Sequence, residues 1–118
     1  MGQRVDIHGV SVADSIHDLD IAHADLLINA TPIGMKDTDP CLVEEKAFHE
    51  GMLVYDLIYN PAETKLLKLA ESKGAKISNG LGMLYFQGVL AFQHWAGIEI
   101  DVVTKEKMWD ALSEGLHA

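Results

Sequence analysis

The apolar positions change their spacing along the chain, and each change marks an element. Asp25-Leu26-Leu27-Ile28-Asn29 is a compact apolar run, opened by an acid and ended by Ala30-Thr31-Pro32. It reads as a parallel strand buried on both faces. Thr31-Pro32-Ile33-Gly34 breaks it, because proline removes a ladder donor and glycine frees the backbone to turn. Residues 36 to 42 read as a polar loop, and Val43 to His49 as a short helical piece closed by Gly51. Met52 to Tyr59, rich in β-branched and aromatic residues, is a second strand. Asn60-Pro61-Ala62-Glu63 then offers a cap, a proline at the first helical position and an acid, which predicts a helix from there to Lys73. Its buried stripe is Leu66, Leu67, Leu69 and Ala70, and Gly74 stops it. Ala75 to Ser78 is a third short strand. Strand, helix and strand of these lengths form a right-handed parallel crossover, an α/β arrangement whose ligands gather at the C-terminal strand ends. Those ends are residues 29–34, Tyr59 and residues 79–83.

From Met83 to Trp95 nearly every position is apolar on every side, which predicts a buried helix with a partner on each face. Gly80 and Gly82 precede and open it, allowing a ligand or a neighbouring backbone close to its start, and Gly97 ends it. Met83, Gln87, Leu90 and His94 share one face at helical spacing. A buried Gln87 amide must find partners, either a bound polyol or a structural hydrogen bond. Glu99 to Val103 is a connector, and Thr104 to Leu116 an amphipathic cover helix with Met108, Leu112 and Leu116 on one face beside Trp109. The first 24 residues carry the weakest signal: Arg4-Val5-Asp6-Ile7 with Val10 and Val12 hints at a short strand, and Val12 to Ile21 at loop or weak helix.

Composition narrows the classes of function. At 118 residues the chain is one domain's worth, small for a complete cofactor-dependent enzyme. Nine basic against eighteen acidic residues leave a net charge of −9, which disfavours nucleic acid and anionic membrane as partners. The longest apolar run is far below the roughly 18 residues of a membrane span, and no secretory leader opens the sequence, so a cytoplasmic protein is expected. Cys41 stands alone and has no disulfide partner. His8, His17, His23, His49, His94 and His117 are scattered without ligand spacing, so no metal site is expected. A nucleophile elbow, a phosphate-binding Walker loop and the glycine-rich dinucleotide turn are all missing from the sequence. On pattern alone, residues 29–34 fit an ordinary turn as well as a ligand loop, and Tyr59 fits a half-buried sheet residue.

Three motifs nevertheless fall in register: Asn29-Ala30-Thr31-Pro32-Ile33-Gly34-Met35; Val54 to Pro61 with Thr64; and Asn79-Gly80-Leu81-Gly82-Met83-Leu84 followed by Gln87-Gly88, Ala91-Phe92 and Trp95 to Gly97. Over about residues 25 to 100 this order and spacing resembles the C-terminal half of shikimate dehydrogenases. The resemblance implies a partial Rossmann-like parallel sheet of three to four strands flanked by helices. It implies one unit over residues 1–118, with sheet and strand-end motifs in 25–82 and closing helices in 83–118. The family interconverts 3-dehydroshikimate and shikimate with NADP, in the pathway to aromatic amino acids. By resemblance, Thr31, Pro32 and Ile33 lie along the cofactor, Leu57, Gly80 and Met83 surround the nicotinamide, and Tyr59 and Gln87 hydrogen-bond the substrate. The family's catalytic lysine and aspartate, its Ser-x-Ser carboxylate site, its glycine-rich turn and its basic 2′-phosphate loop have no counterpart here. The sequence therefore looks like a fragment, inactive alone, that self-associates as a homodimer or pairs with a separately encoded N-terminal half. A binding or assembly module, or a quinate/shikimate dehydrogenase of broader specificity, is the alternative, and NAD against NADP stays open.

Overall fold

The computed structural model describes residues 8–117. Val54, completely buried, sits in the central strand of a parallel sheet ordered β1-β2-β3. The strands are β1, Leu26–Asn29, β2, Leu53–Asp56, and β3, Lys76–Ser78. Leu27 pairs with Val54 and Val54 with Ile77, so these side chains share one face. That face is packed. Met52, Val54, Leu66, Leu67, Ala70 and Ala75 form its core with Val43 and Phe48 from the segment that leads into β2. Each fully buried side chain of this size contributes about 1.5–3 kcal/mol relative to exposure. The other face carries Leu26 and Ile28 of β1 and Leu53 of β2, all at least 40% exposed. A parallel strand buried on both faces was expected over 25–29. Among the described residues, only one face of β1 is covered.

α1, Lys65–Ser72, crosses the packed face and buries Leu66, Leu67 and Ala70, while Lys65, Lys68 and Glu71 are solvated. Its start differs from the expected cap at Asn60. Thr64 caps the helix, its hydroxyl accepting from Leu67 N–H at 3.3 Å, and residues 60–63 form bends around a cis Asn60–Pro61 bond. The physical reason lies in Asp56, which draws the Thr64 hydroxyl inward at 2.7 Å and fixes the first helical turn there. β2 is also shorter than the expected Met52–Tyr59, since residues 57–60 leave the ladder to build a loop. The expected helical piece over 43–49 is a single 3-10 turn, Glu45–Ala47. Two more such turns, Ile16–Asp18 and Ile21–His23, precede β1. Val10 makes an isolated bridge, and the strand hint over Arg4–Ile7 lies outside the described residues.

α2, Leu81–Ala96, and α3, Val102–His117, pack on each other. The Tyr85 and Trp109 rings meet edge to face at 5.2 Å, the Tyr85 hydroxyl donates to the Lys105 carbonyl at 3.3 Å, and Ile100 N–H donates to Gln93 Oε1 at 2.9 Å. Gly97 ends α2 in the left-handed conformation, φ 66°, returning its N–H to the Gln93 carbonyl. Met108, Leu112 and Leu116 are half-buried, as the amphipathic pattern predicts. α2 is not buried all round. Val89 is its one buried side chain, whereas Phe86 and Leu90 are each 64% exposed and Trp95 is 81% exposed. Gln87, expected to be a buried amide, is exposed too. The helix carries the apolar surface of a core element, and the described residues supply a neighbour on one side only.

Candidate functional site

The C-terminal ends of β1 and β2 lie side by side because Asn29 and Asp56 are register partners. The loops leaving them, Ala30 to Met35 and Leu57 to Asn60, form the walls of a cleft of about 400 Å³ lined by Ala30, Thr31, Pro32, Met35, Leu57, Ile58, Tyr59 and Asn60. The walls are mainly apolar, with the Thr31 hydroxyl, the Tyr59 phenol and the Asn60 amide as polar points. Such a lining suits a flat ring with a few oriented hydrogen bonds.

Beneath the cleft, buried polar groups satisfy one another. Asn29 Oδ1 accepts from the Thr31 N–H at 3.0 Å and from its hydroxyl at 2.7 Å, while Asn29 Nδ2 donates to the Ile33 carbonyl at 3.1 Å and to Asp56 Oδ1 at 3.2 Å. Thr31 Oγ1 in turn accepts from Ile33 N–H at 3.2 Å. Asp56 Oδ1 also accepts from Ile58 N–H at 3.1 Å, and its Oδ2 takes the Thr64 hydroxyl. Asp56 is fully buried, and no buried side-chain polar atom among the described residues lacks a partner. The loop beyond is held separately. Asp39 accepts from Gly34 N–H at 2.9 Å and Lys36 N–H at 3.1 Å, which keep its carboxyl below the ordinary value of 3.8. Lys65 Nζ reaches the Asp37 and Asp39 carbonyls at 2.5 and 2.9 Å, tying this loop to the start of α1.

β3 delivers the third strand end. A Cβ on Gly80 would stand 1.8 Å from the Leu57 carbonyl oxygen, so glycine is required for α2 to begin against the 57–60 loop. Gly82, also expected to permit a close approach, faces open space with nothing within 4 Å. Thr31, Pro32, Leu57 and Tyr59 therefore line one cleft, and Gly80 abuts its wall at Leu57. Ile33, Met83 and Gln87 are exposed and lie outside the cleft lining. Asp56 and Thr64 escaped the sequence reading as site components, and Asn29 entered it only as the first residue of the 29–34 strand end. Their signal was available: an aspartate inside an apolar strand run must be satisfied, and Asn29 and Thr64 flank it at a strand end and a helix start. Among the described residues, no three acidic, histidine or cysteine side chains are grouped to hold a metal. His23 pairs with Asp20 at 2.8 Å on the surface, and that hydrogen bond raises its pKa. Cys41 is half-buried, its thiol directed to the Val43 carbonyl.

No family model matches the chain. A shikimate dehydrogenase (NADP(+)) of Methanocaldococcus jannaschii is 46% identical over 110 residues, 90% of this chain and 39% of that protein. The chain is homologous to one part of the shikimate dehydrogenases. A crystal structure of a shikimate dehydrogenase in complex with NADP+ superposes with a TM-score of 0.74 at 44% identity, over 84% of this chain and 34% of that one. A quinate dehydrogenase from Corynebacterium glutamicum in complex with NAD gives 0.66 at 33% identity, over 76% and 32%. The α/β fold is thus that of shikimate dehydrogenases, and the chain spans 32–39% of the length of these relatives. No helix among the described residues is long and apolar enough to cross a membrane.

Proposed function

We propose that this chain supplies the C-terminal, cofactor-side part of an NADP-dependent oxidoreductase that interconverts 3-dehydroshikimate and shikimate. The observation that carries this reading is the cleft at the ends of β1 and β2, where Thr31, Pro32, Leu57 and Tyr59 converge on a parallel sheet whose ligands belong at that edge. Its volume of about 400 Å³ takes one end of a dinucleotide rather than the whole, and its apolar walls fit a nicotinamide ring. Thr31, Pro32 and Ile33 would lie along the cofactor and Leu57, Gly80 and Met83 around its ring, with Tyr59 and Gln87 hydrogen-bonding the substrate. Bound NADPH would supply the hydride that reduces 3-dehydroshikimate, and NADP+ would accept it in the reverse direction. The chain's own residues orient ring and substrate and shield them from water. In this reading the acid–base lysine and aspartate come from outside the cofactor-side part, and the 118 residues by themselves are expected not to turn over substrate.

The test is chemical-shift NMR on the purified chain with NADP+ and shikimate added separately, with Gln87→Ala as control. Shifts at Thr31, Leu57 and Tyr59 that saturate with either ligand support the reading, and shikimate shifts that weaken in Gln87→Ala support the role of that residue. A folded chain that shifts with neither ligand overturns the assignment of the cleft. Turnover of shikimate by the chain alone would overturn its inactivity.

A second reading, an assembly module, is favoured by the exposed apolar side chains of α2 and the open face of β1 and β2. In this reading the cytoplasmic chain buries that surface as a homodimer or against a separate N-terminal half. A monomer at every concentration in light scattering would count against the homodimer. The presence of quinate dehydrogenase among the structural relatives makes a quinate/shikimate enzyme of broader specificity the near alternative within the first reading.

A further inference from the structure

Asp56 does not line the cleft, yet both walls depend on it. One oxygen accepts from Asn29 Nδ2, and the same Asn29 holds the Thr31 N–H, the Thr31 hydroxyl and the Ile33 carbonyl of the first wall. That oxygen also accepts from Ile58 N–H in the second wall. The other oxygen accepts from Thr64, whose hydroxyl simultaneously caps α1. From these contacts we infer that Asp56, with Asn29 and Thr64, is a positioning residue that couples the two cleft walls and the start of α1 into one rigid unit. The buried Ile58 side chain also lies beside Gly34, but that contact is apolar, whereas the Asp56 carboxylate is fully enclosed, so water does not substitute for a lost hydrogen-bond partner. The inference adds to the cofactor-side reading of the cleft and rests on it only for the ligand that the walls are held to receive. A bare surface turn needs no such anchor. Two loops that must present a threonine and a tyrosine to one ligand do.

The experiment reads amide solvent exchange by NMR in the wild-type chain, Thr64→Val, Thr64→Ser and Leu67→Ala, and then repeats the NADP+ titration on each. Thr64→Val removes the hydroxyl from Asp56 at nearly constant shape, and Thr64→Ser restores it. Leu67→Ala weakens α1 packing while keeping the Leu67 N–H that Thr64 accepts. The expected result is exchange about two- to tenfold faster at Thr31, Ile33 and Ile58 in Thr64→Val, recovery in Thr64→Ser, and no selective change at these three amides in Leu67→Ala. NADP+ affinity falls in Thr64→Val and recovers in Thr64→Ser. Unchanged exchange at Thr31 and Ile33 in folded Thr64→Val overturns the coupling, as does an equal change in Leu67→Ala. If the exchange pattern is as expected but the wild-type chain binds no NADP+, the coupling stands and the dinucleotide reading of the cleft falls.

Discussion

Replacing Gly80 by alanine tests how α2 is seated on the 57–60 loop. At φ −81° the backbone of residue 80 suits alanine, and at an unhindered site of this kind the change stabilises by about 0.4–1 kcal/mol. Here the new Cβ would stand 1.8 Å from Leu57 O and 2.5 Å from Leu57 C, so main chain must retreat by about 1 Å or more. The peptide that has to move also carries the Ile58 N–H bonded to Asp56, and Leu57 N–H is bonded to the Asn29 carbonyl at 3.0 Å. Overpacking costs about 1–3 kcal/mol. A weakened hydrogen bond to a buried carboxylate adds about 1–3. The balance is a net loss of about 1–5 kcal/mol. Urea unfolding followed by far-ultraviolet circular dichroism measures it, with Gly82→Ala as the internal reference because nothing lies within 4 Å of that site. Gly82→Ala, in the first turn of α2, should gain up to about 0.5–1 kcal/mol. The reasoning is refuted if Gly80→Ala unfolds at the same urea concentration as the wild type or higher, since the loop would then yield without cost.

Met52 is 1% exposed in the core beneath β2, and Met52→Ala should cost about 2–5 kcal/mol in the same assay. Asp39 has a folded-state pKa below its ordinary 3.8, so its contribution to loop stability is present above that value and is lost as pH falls through the lower folded one; acid titration should move the Gly34 and Lys36 amide signals together in that window, and flat signals would remove the assigned bonds. Phe86→Glu puts a charge on the exposed apolar side of α2 and should shift a self-associated chain toward monomer by analytical ultracentrifugation, with unchanged sedimentation excluding that surface from the contact.

The parts of the fold set by local chemistry were legible from residue order. The apolar runs at Leu26 and Val54 and the Leu66–Leu67–Ala70 stripe each place their own element, and Gly97 ends α2 as a C-terminal glycine should. What escaped depended on long-range contacts. The helix start moved from Asn60 to Thr64 because Asp56, eight residues back, bonds the threonine. The burial of α2 was misjudged for a different reason: its all-apolar composition reports the partners the helix is built for, and the described residues cover little more than the Val89 side. Of the candidate site, the convergence of Thr31, Pro32, Leu57 and Tyr59 followed from strand ends that a parallel sheet brings to one edge. Ile33, Met83 and Gln87 share that edge in sequence but do not line the cleft. Asn29 and Asp56 were hidden by their position inside strand motifs, where a polar residue is easily read as part of the pattern rather than as the anchor beneath it.

The pairing of α2 with α3 has a bearing on how the molecule opens. From residue 81 onward the buried hydrophobic side chains are Val89 and Ile100, against the eight-residue cluster under β2. A unit held by so little burial separates at a lower free energy than the sheet does, so amide protection should fall into two tiers, shallow along residues 81–117 and deep along β2. The Gly80 turn is then the border between a stiff platform and a pair of helices that come and go from it. Any partner that binds α2 would register as slowed exchange far from the cleft, long before the platform itself changed.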